Sequence, residues 1–64
     1  MVEVTKMINI DDTDADKYIN NIVYSMFGNP LGTLEEVRIS SVGNQEFWVR
    51  NDFGLMQFYY FCIP

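Results

Sequence analysis

The spacing of apolar residues changes along this chain, and each change of period marks an expected element. In "VEVTKMINI", Val2, Val4, Ile8 and Ile10 share one face while Lys6 interrupts it, which predicts an N-terminal strand. From Ala15 to Phe27, the residues Ala15, Tyr18, Ile19, Ile22, Val23, Met26 and Phe27 recur at three- and four-residue steps, which predicts a helix with one buried stripe. Lys17, Asn20, Asn21 and Ser25 fall on its wet side. Gly28 supplies a left-handed stop, and Pro30 prevents the helix from resuming.

Strand-like runs follow the "NPLGT" connection. "EEVRISSV" places Val37 and Ile39 on one face and Glu36, Arg38 and Ser40 on the other. "EFWVR" turns Phe47 and Val49 inward and Glu46, Trp48 and Arg50 outward. "LMQFYYFCI" is apolar on both faces: Leu55, Tyr59, Phe61 and Ile63 on one, Met56, Phe58, Tyr60 and Cys62 on the other. "VGNQE" and "NDFG" are turn sequences, and pairing Val42 with Glu46 gives the first an odd-length loop that keeps the inward residues on one face. The expected fold class is α+β, in the order β-α-β-β-β, with one helix packed on a small antiparallel sheet. The alternative order is α-β-β-β with a loose N-terminal arm. Either leaves one sheet face partly open. No linker, repeat or low-complexity stretch divides the chain, so residues 1–64 are expected to form a single domain.

Size and composition narrow the chemistry. A chain of 64 residues buries only about 60% of its unfolded surface, so its core must be dense. Five Phe, four Tyr and one Trp supply that density. Cys62 is the only cysteine, which excludes an intrachain disulfide, and the lack of histidine makes a structural zinc site a poor fit. The N-terminal sequence lacks a basic region followed by an apolar run, and the longest apolar run, Phe58 to Ile63, is too short to span a bilayer. A soluble cytoplasmic protein without membrane contact or cofactor is the expectation.

Nine acids against four bases give a net charge of −5. Direct nucleic-acid binding needs the opposite sign, because Lys and Arg contacts to phosphate supply most of the affinity. An acidic domain instead suits a basic surface on another protein. The acids concentrate in "DDTDAD". Asp12, Asp14 and Asp16 have the alternate spacing of a calcium hand's first ligands. Lys17 then stands at that motif's glycine position and Val23 at its closing glutamate, so no metal is expected. As helix-terminal residues, Asp12 or Thr13 would cap and Asp14 and Asp16 would meet the dipole. That accounts for one or two of the aspartates, and solubility is the remaining plain explanation. "DFG" at Asp52 to Gly54 is a hairpin turn rather than a kinase element, and "GNPLG" lacks the lysine of a phosphate loop. With no histidine, and Cys62 in an apolar run, catalysis is not expected.

In type, the chain resembles the small acidic inhibitors that bacteriophages direct against host defences, including anti-CRISPR proteins and DNA mimics. The resemblance rests on its size, its acidic balance and the "DDTDAD" cluster. It implies occupation of a Lys/Arg-lined site on a nucleic-acid-binding protein or complex, in the host cytoplasm if phage-encoded. The candidate partner-binding residues are Asp11, Asp12, Asp14, Asp16, Glu35 and Glu36, with Trp48 and Tyr60 as aromatic anchors. A rival expectation is a structural or regulatory homodimer module assembled through the aromatic sheet face.

Overall fold

The computed structural model describes residues 2–64; residue 1, included in the expected domain, lies outside them. The fold is all-β rather than α+β, in either expected order. Six strands run β1 (Lys6–Asn9), β2 (Ile22–Tyr24), β3 (Pro30–Ile39), β4 (Gln45–Asn51), β5 (Gly54–Phe58) and β6 (Tyr60–Ile63). They form one antiparallel sheet in the order β1-β6-β2-β3-β4-β5. The only helical element among the described residues is a four-residue 3-10 turn, Ala15–Tyr18. No helix among them is long and apolar enough to cross a membrane.

The expected helix fails for a local reason. Asn20 adopts φ +77, which ends the 3-10 turn and redirects the chain. The Asn20 N–H donates to the Leu34 carbonyl at 2.7 Å, and the Leu34 N–H donates to the Asn21 carbonyl at 3.0 Å. The two asparagines thus deliver the chain to β3, and the β-branched pair Ile22-Val23 continues as strand. The helical stripe is not buried as a stripe: Ala15 and Val23 are in the core, yet Ile22, Met26 and Phe27 are 55, 49 and 70% exposed.

Gly28 does occupy the left-handed region (φ +82), but as the fourth residue of a hairpin turn. In "SMFGN", Ser25 N–H donates to the Asn29 carbonyl (2.8 Å), Gly28 N–H donates to the Ser25 carbonyl (3.0 Å), and Ser25 Oγ accepts from Asn29 N–H. "SSVGN", residues 40–44, repeats the arrangement with Ser40, Gly43 and Asn44 in the same roles. The serine hydroxyl satisfies a backbone donor that the three-residue loop would otherwise strand, and the glycine supplies the positive φ. This second turn is odd-length, as its parity requires, but it takes up Ser40 through Asn44. The pairs are therefore Ile39 with Gln45 and Val37 with Phe47, not the register that Val42–Glu46 would set. Ile39 then lies beyond the core and is exposed. A bulge at Glu35 lets Leu34 and Val37, three residues apart, both face inward.

The C-terminal apolar run is two strands rather than one. Phe58 and Phe61 both pack on the core, a three-residue spacing that an unbroken strand cannot give. The chain bends at Tyr59, leaves β4's side and enters between β1 and β2. The sheet consequently curls around its own core of Ile8, Ala15, Val23, Leu34, Phe47, Val49 and Phe61. Phe47 and Phe61, on strands separated by two others in the sheet, meet edge-to-face at 5.0 Å, and Tyr18 closes on Phe61 at 5.9 Å. Burying each phenylalanine contributes about 1.5–3 kcal/mol, and such ring pairs add about 0.5–1.5.

At Gly32, β3 lies too close to the β4 backbone to admit a side chain. Gly32 has φ +140, and a Cβ there would strike the Arg50 carbonyl oxygen and approach Val49 Cγ1 to 2.9 Å. Gly43 also has positive φ but open space around it. Gly32→Ala is expected to cost more than the about 1–3 kcal/mol of a strained backbone alone, and Gly43→Ala to stay within that range. Urea denaturation of the two variants checks the order.

Candidate acidic docking surface

The "DDTDAD" segment forms the loop that carries the chain from β1 into the 3-10 turn. It is held from three sides. Asp12 N–H donates to the Asn9 carbonyl at 3.0 Å, and Asp12 Oδ2 accepts from Asn9 N–H at 2.7 Å. Gln45, at the start of β4, donates its side-chain amide to the carbonyls of Ile10 (2.8 Å) and Asp12. Ala15, fully buried, pins the far end. Sequence reading missed Gln45, since a lone glutamine after a turn gives no signal of a contact more than thirty residues back along the chain.

With no α-helix, the capping and dipole account of these aspartates falls. Asp14 precedes the 3-10 turn but makes no side-chain cap hydrogen bond. Asp12 is occupied by Asn9. Asp11, Asp14 and Asp16 are exposed, and neither of the ion pairs found among the described residues involves them. No three Asp, Glu or Cys side chains among the described residues are grouped to hold a metal ion.

The remaining candidates divide. Tyr60 pairs with Asn9 across β6 and β1, which puts it beside the root of the aspartate loop. Glu35, Glu36 and Trp48 lie elsewhere, on the outer side of β3 and β4, and each is engaged. Arg50 grips Glu35 with two donors, Nε to Oε2 and Nη2 to Oε1, the second at 3.0 Å. Arg38 pairs with Glu36 and lies over the Trp48 ring, 4.5 Å from its centroid. Trp48 Nε1 donates to Glu46 Oε1 at 3.3 Å. Both arginines are thus neutralised on the sheet, and the tryptophan is a covered residue rather than a bare anchor. Gln45, which reaches the loop, sits opposite Ile39, and Ile39 and Val42 are exposed on that hairpin.

An open hollow of about 450 Å³ between the 3-10 turn and the C-terminus is lined by Tyr18, Asn20, Tyr24 and Ile63 among others, with no side-chain carboxylate or thiol. Cys62 is buried, in register with Met7 on one side and Tyr24 on the other. Compared with known proteins, the chain matches no family model, no curated sequence and no solved structure.

Two titrations follow from these contacts. The hydrogen bond from Arg50, more than its charge, holds the Glu35 carboxyl below the usual value. A depressed folded value means that the pair stabilises the fold above the ordinary carboxyl range and loses that effect as pH falls through the lowered value. Carboxyl NMR of Glu35 should show the low midpoint, and Arg50→Gln should return it to the ordinary range. Burial pushes the Cys62 thiol up. Its stabilising effect is complete below the ordinary thiol range and lost as pH rises through the raised value. At neutral pH a thiol reagent should label Cys62 at least about tenfold more slowly in the folded protein than in urea.

Proposed function

We propose that this chain is a non-enzymatic acidic binding protein that blocks the basic site of a nucleic-acid-binding partner, in the manner of the phage inhibitors it resembles. One observation carries the reading: Asp11, Asp14 and Asp16 stand free on a braced loop while the arginines are tied to glutamates elsewhere. Asp11, Asp14 and Asp16 form no ion pair among the described residues and outnumber the one adjacent cation, Lys17, which lies over the Tyr18 ring; they repel one another, and a Lys/Arg-lined groove relieves that repulsion on contact. Bracing by Gln45 and Asn9 lowers the ordering cost of binding. Ile39, Val42 and Tyr60 add apolar contact around the charges. Such an inhibitor works in the cytoplasm, that of the host cell if a phage encodes it, and contacts no nucleic acid directly.

The test uses a poly-arginine-coated surface at low salt, with duplex DNA as competitor. Wild-type protein should bind with a steep salt dependence and displace the DNA. The triple variant Asp11→Asn, Asp14→Asn, Asp16→Asn should lose at least about tenfold in affinity and flatten the salt dependence. Glu35→Gln with Glu36→Gln should change little. Equal losses in the two variants would reduce the effect to net charge and reject a localised surface.

A further inference from the structure

The sheet has two edges, β1 and β5, and they differ. β1 has four residues and carries exposed Lys6, a charge of the kind that discourages strand addition. β5, Gly-Leu-Met-Gln-Phe, pairs only with β4 and contains no charged residue and no proline. Exposed apolar side chains gather around it: Phe53 is 93% exposed, Met56 43% and Tyr59 67%. Large apolar groups on an uncharged open edge are a template for another strand.

We propose that β5 is a self-association edge, where two copies of this chain pair antiparallel about a two-fold axis at Met56. The spacing of the exposed residues supports the second copy as occupant. A two-fold at Met56 sets it against its own counterpart and Leu55 against Gln57 of the second copy. Phe53, in the turn before β5, and Tyr59, at the bend after it, lie just beyond the paired residues, so each end of the contact brings an exposed aromatic of one copy near one of the other. Charge places the contact on this edge rather than elsewhere. Copies with a net charge of −5 repel, and contact is least costly where both surfaces are neutral. A basic partner has no electrostatic reason to choose this strand, and the aspartate loop is not part of it. A β5–β5 contact is isologous and closes as a dimer, extending the six-stranded sheet to a continuous double sheet.

Sedimentation equilibrium of the full chain over a hundredfold concentration range tests this. Wild-type protein should fit a monomer–dimer equilibrium. Met56→Lys and Met56→Glu should each dimerise at least about tenfold more weakly, because like charges meet at the axis. An equimolar mixture of the two should recover dimer, a result that misfolding of either variant cannot produce. Met7→Lys, on the other edge, should leave the dimer unchanged. A wild-type protein that stays monomeric throughout overturns the proposal, as does a dimer indifferent to both Met56 variants. A dimer lost equally in Met7→Lys assigns the contact to another surface and also overturns it. The poly-arginine experiment is read separately, so its failure leaves this result standing.

Discussion

The contact between Phe47 and Phe61 is what the rest of the molecule depends on. Their strands are not neighbours, since β2 and β3 lie between them in the sheet. A flat sheet would hold the two rings far apart, because adjacent strands are about 4.8 Å apart. Their 5.0 Å approach therefore requires the sheet to curl. That curl is how a chain this short acquires a core without a second layer. A single sheet needs something to bury its apolar face, and here the face is buried against itself. Tyr18, Ile19 and Ala15 from the 3-10 segment fill the remaining opening. The bend at Tyr59 makes the curl possible by sending β6 to the other side of the sheet from β5. Gly32 lets β3 approach β4 closely enough to complete it.

This mechanism explains which parts of the sequence were legible. Period-two alternation in β4 was read correctly, because Phe47 and Val49 are buried and Trp48 is not. The "NDFG" turn lies where its residues placed it, with Asn51 paired to Gly54 and Asn51 Oδ1 accepting from Phe53 N–H. The Ala15–Phe27 segment was misread because several short pieces, a loop, a 3-10 turn, a strand and a hairpin, happen to place apolar residues at helical steps. The serine-glycine-asparagine pattern in "SMFGN" was the discriminating signal. It recurs in "SSVGN", where the flanking alternation already indicated strands. The break at Tyr59 had no comparable mark, because both sides of the C-terminal run are apolar and period alone cannot locate a bend there.

The candidate site was legible in part. That the four aspartates share one loop follows directly from their spacing in the chain, and Asp11, Asp14 and Asp16 are exposed on it while Asp12 turns back to Asn9. Their lack of an arginine partner did not follow, because it depends on where the arginines go. Cross-strand geometry decides that. Arg38 shares a face with Glu36 two residues away, and the bulge at Glu35 turns that side chain toward Arg50 on the adjoining strand. Glu35 and Glu36 looked like members of the acidic surface in sequence and are instead the partners that remove the arginines from it.

A division of charge by element results, and it has a physical origin in the sheet. Opposite charges on neighbouring strands attract at short fixed distances, so β3 and β4 collect the paired Glu and Arg residues. A loop has no facing strand to supply a counter-charge. Asp11, Asp14 and Asp16 form no ion pair there among the described residues, although Lys17 is adjacent in the chain. Gln45 anchors the loop without adding charge, since an amide donates to the Ile10 and Asp12 carbonyls and leaves the carboxylates free. A lysine in its place would hold the same carbonyls but would cancel part of the acidic field. The neutral clamp is therefore the feature that lets this loop be both ordered and negative, which is the combination that a pre-organised electrostatic contact requires.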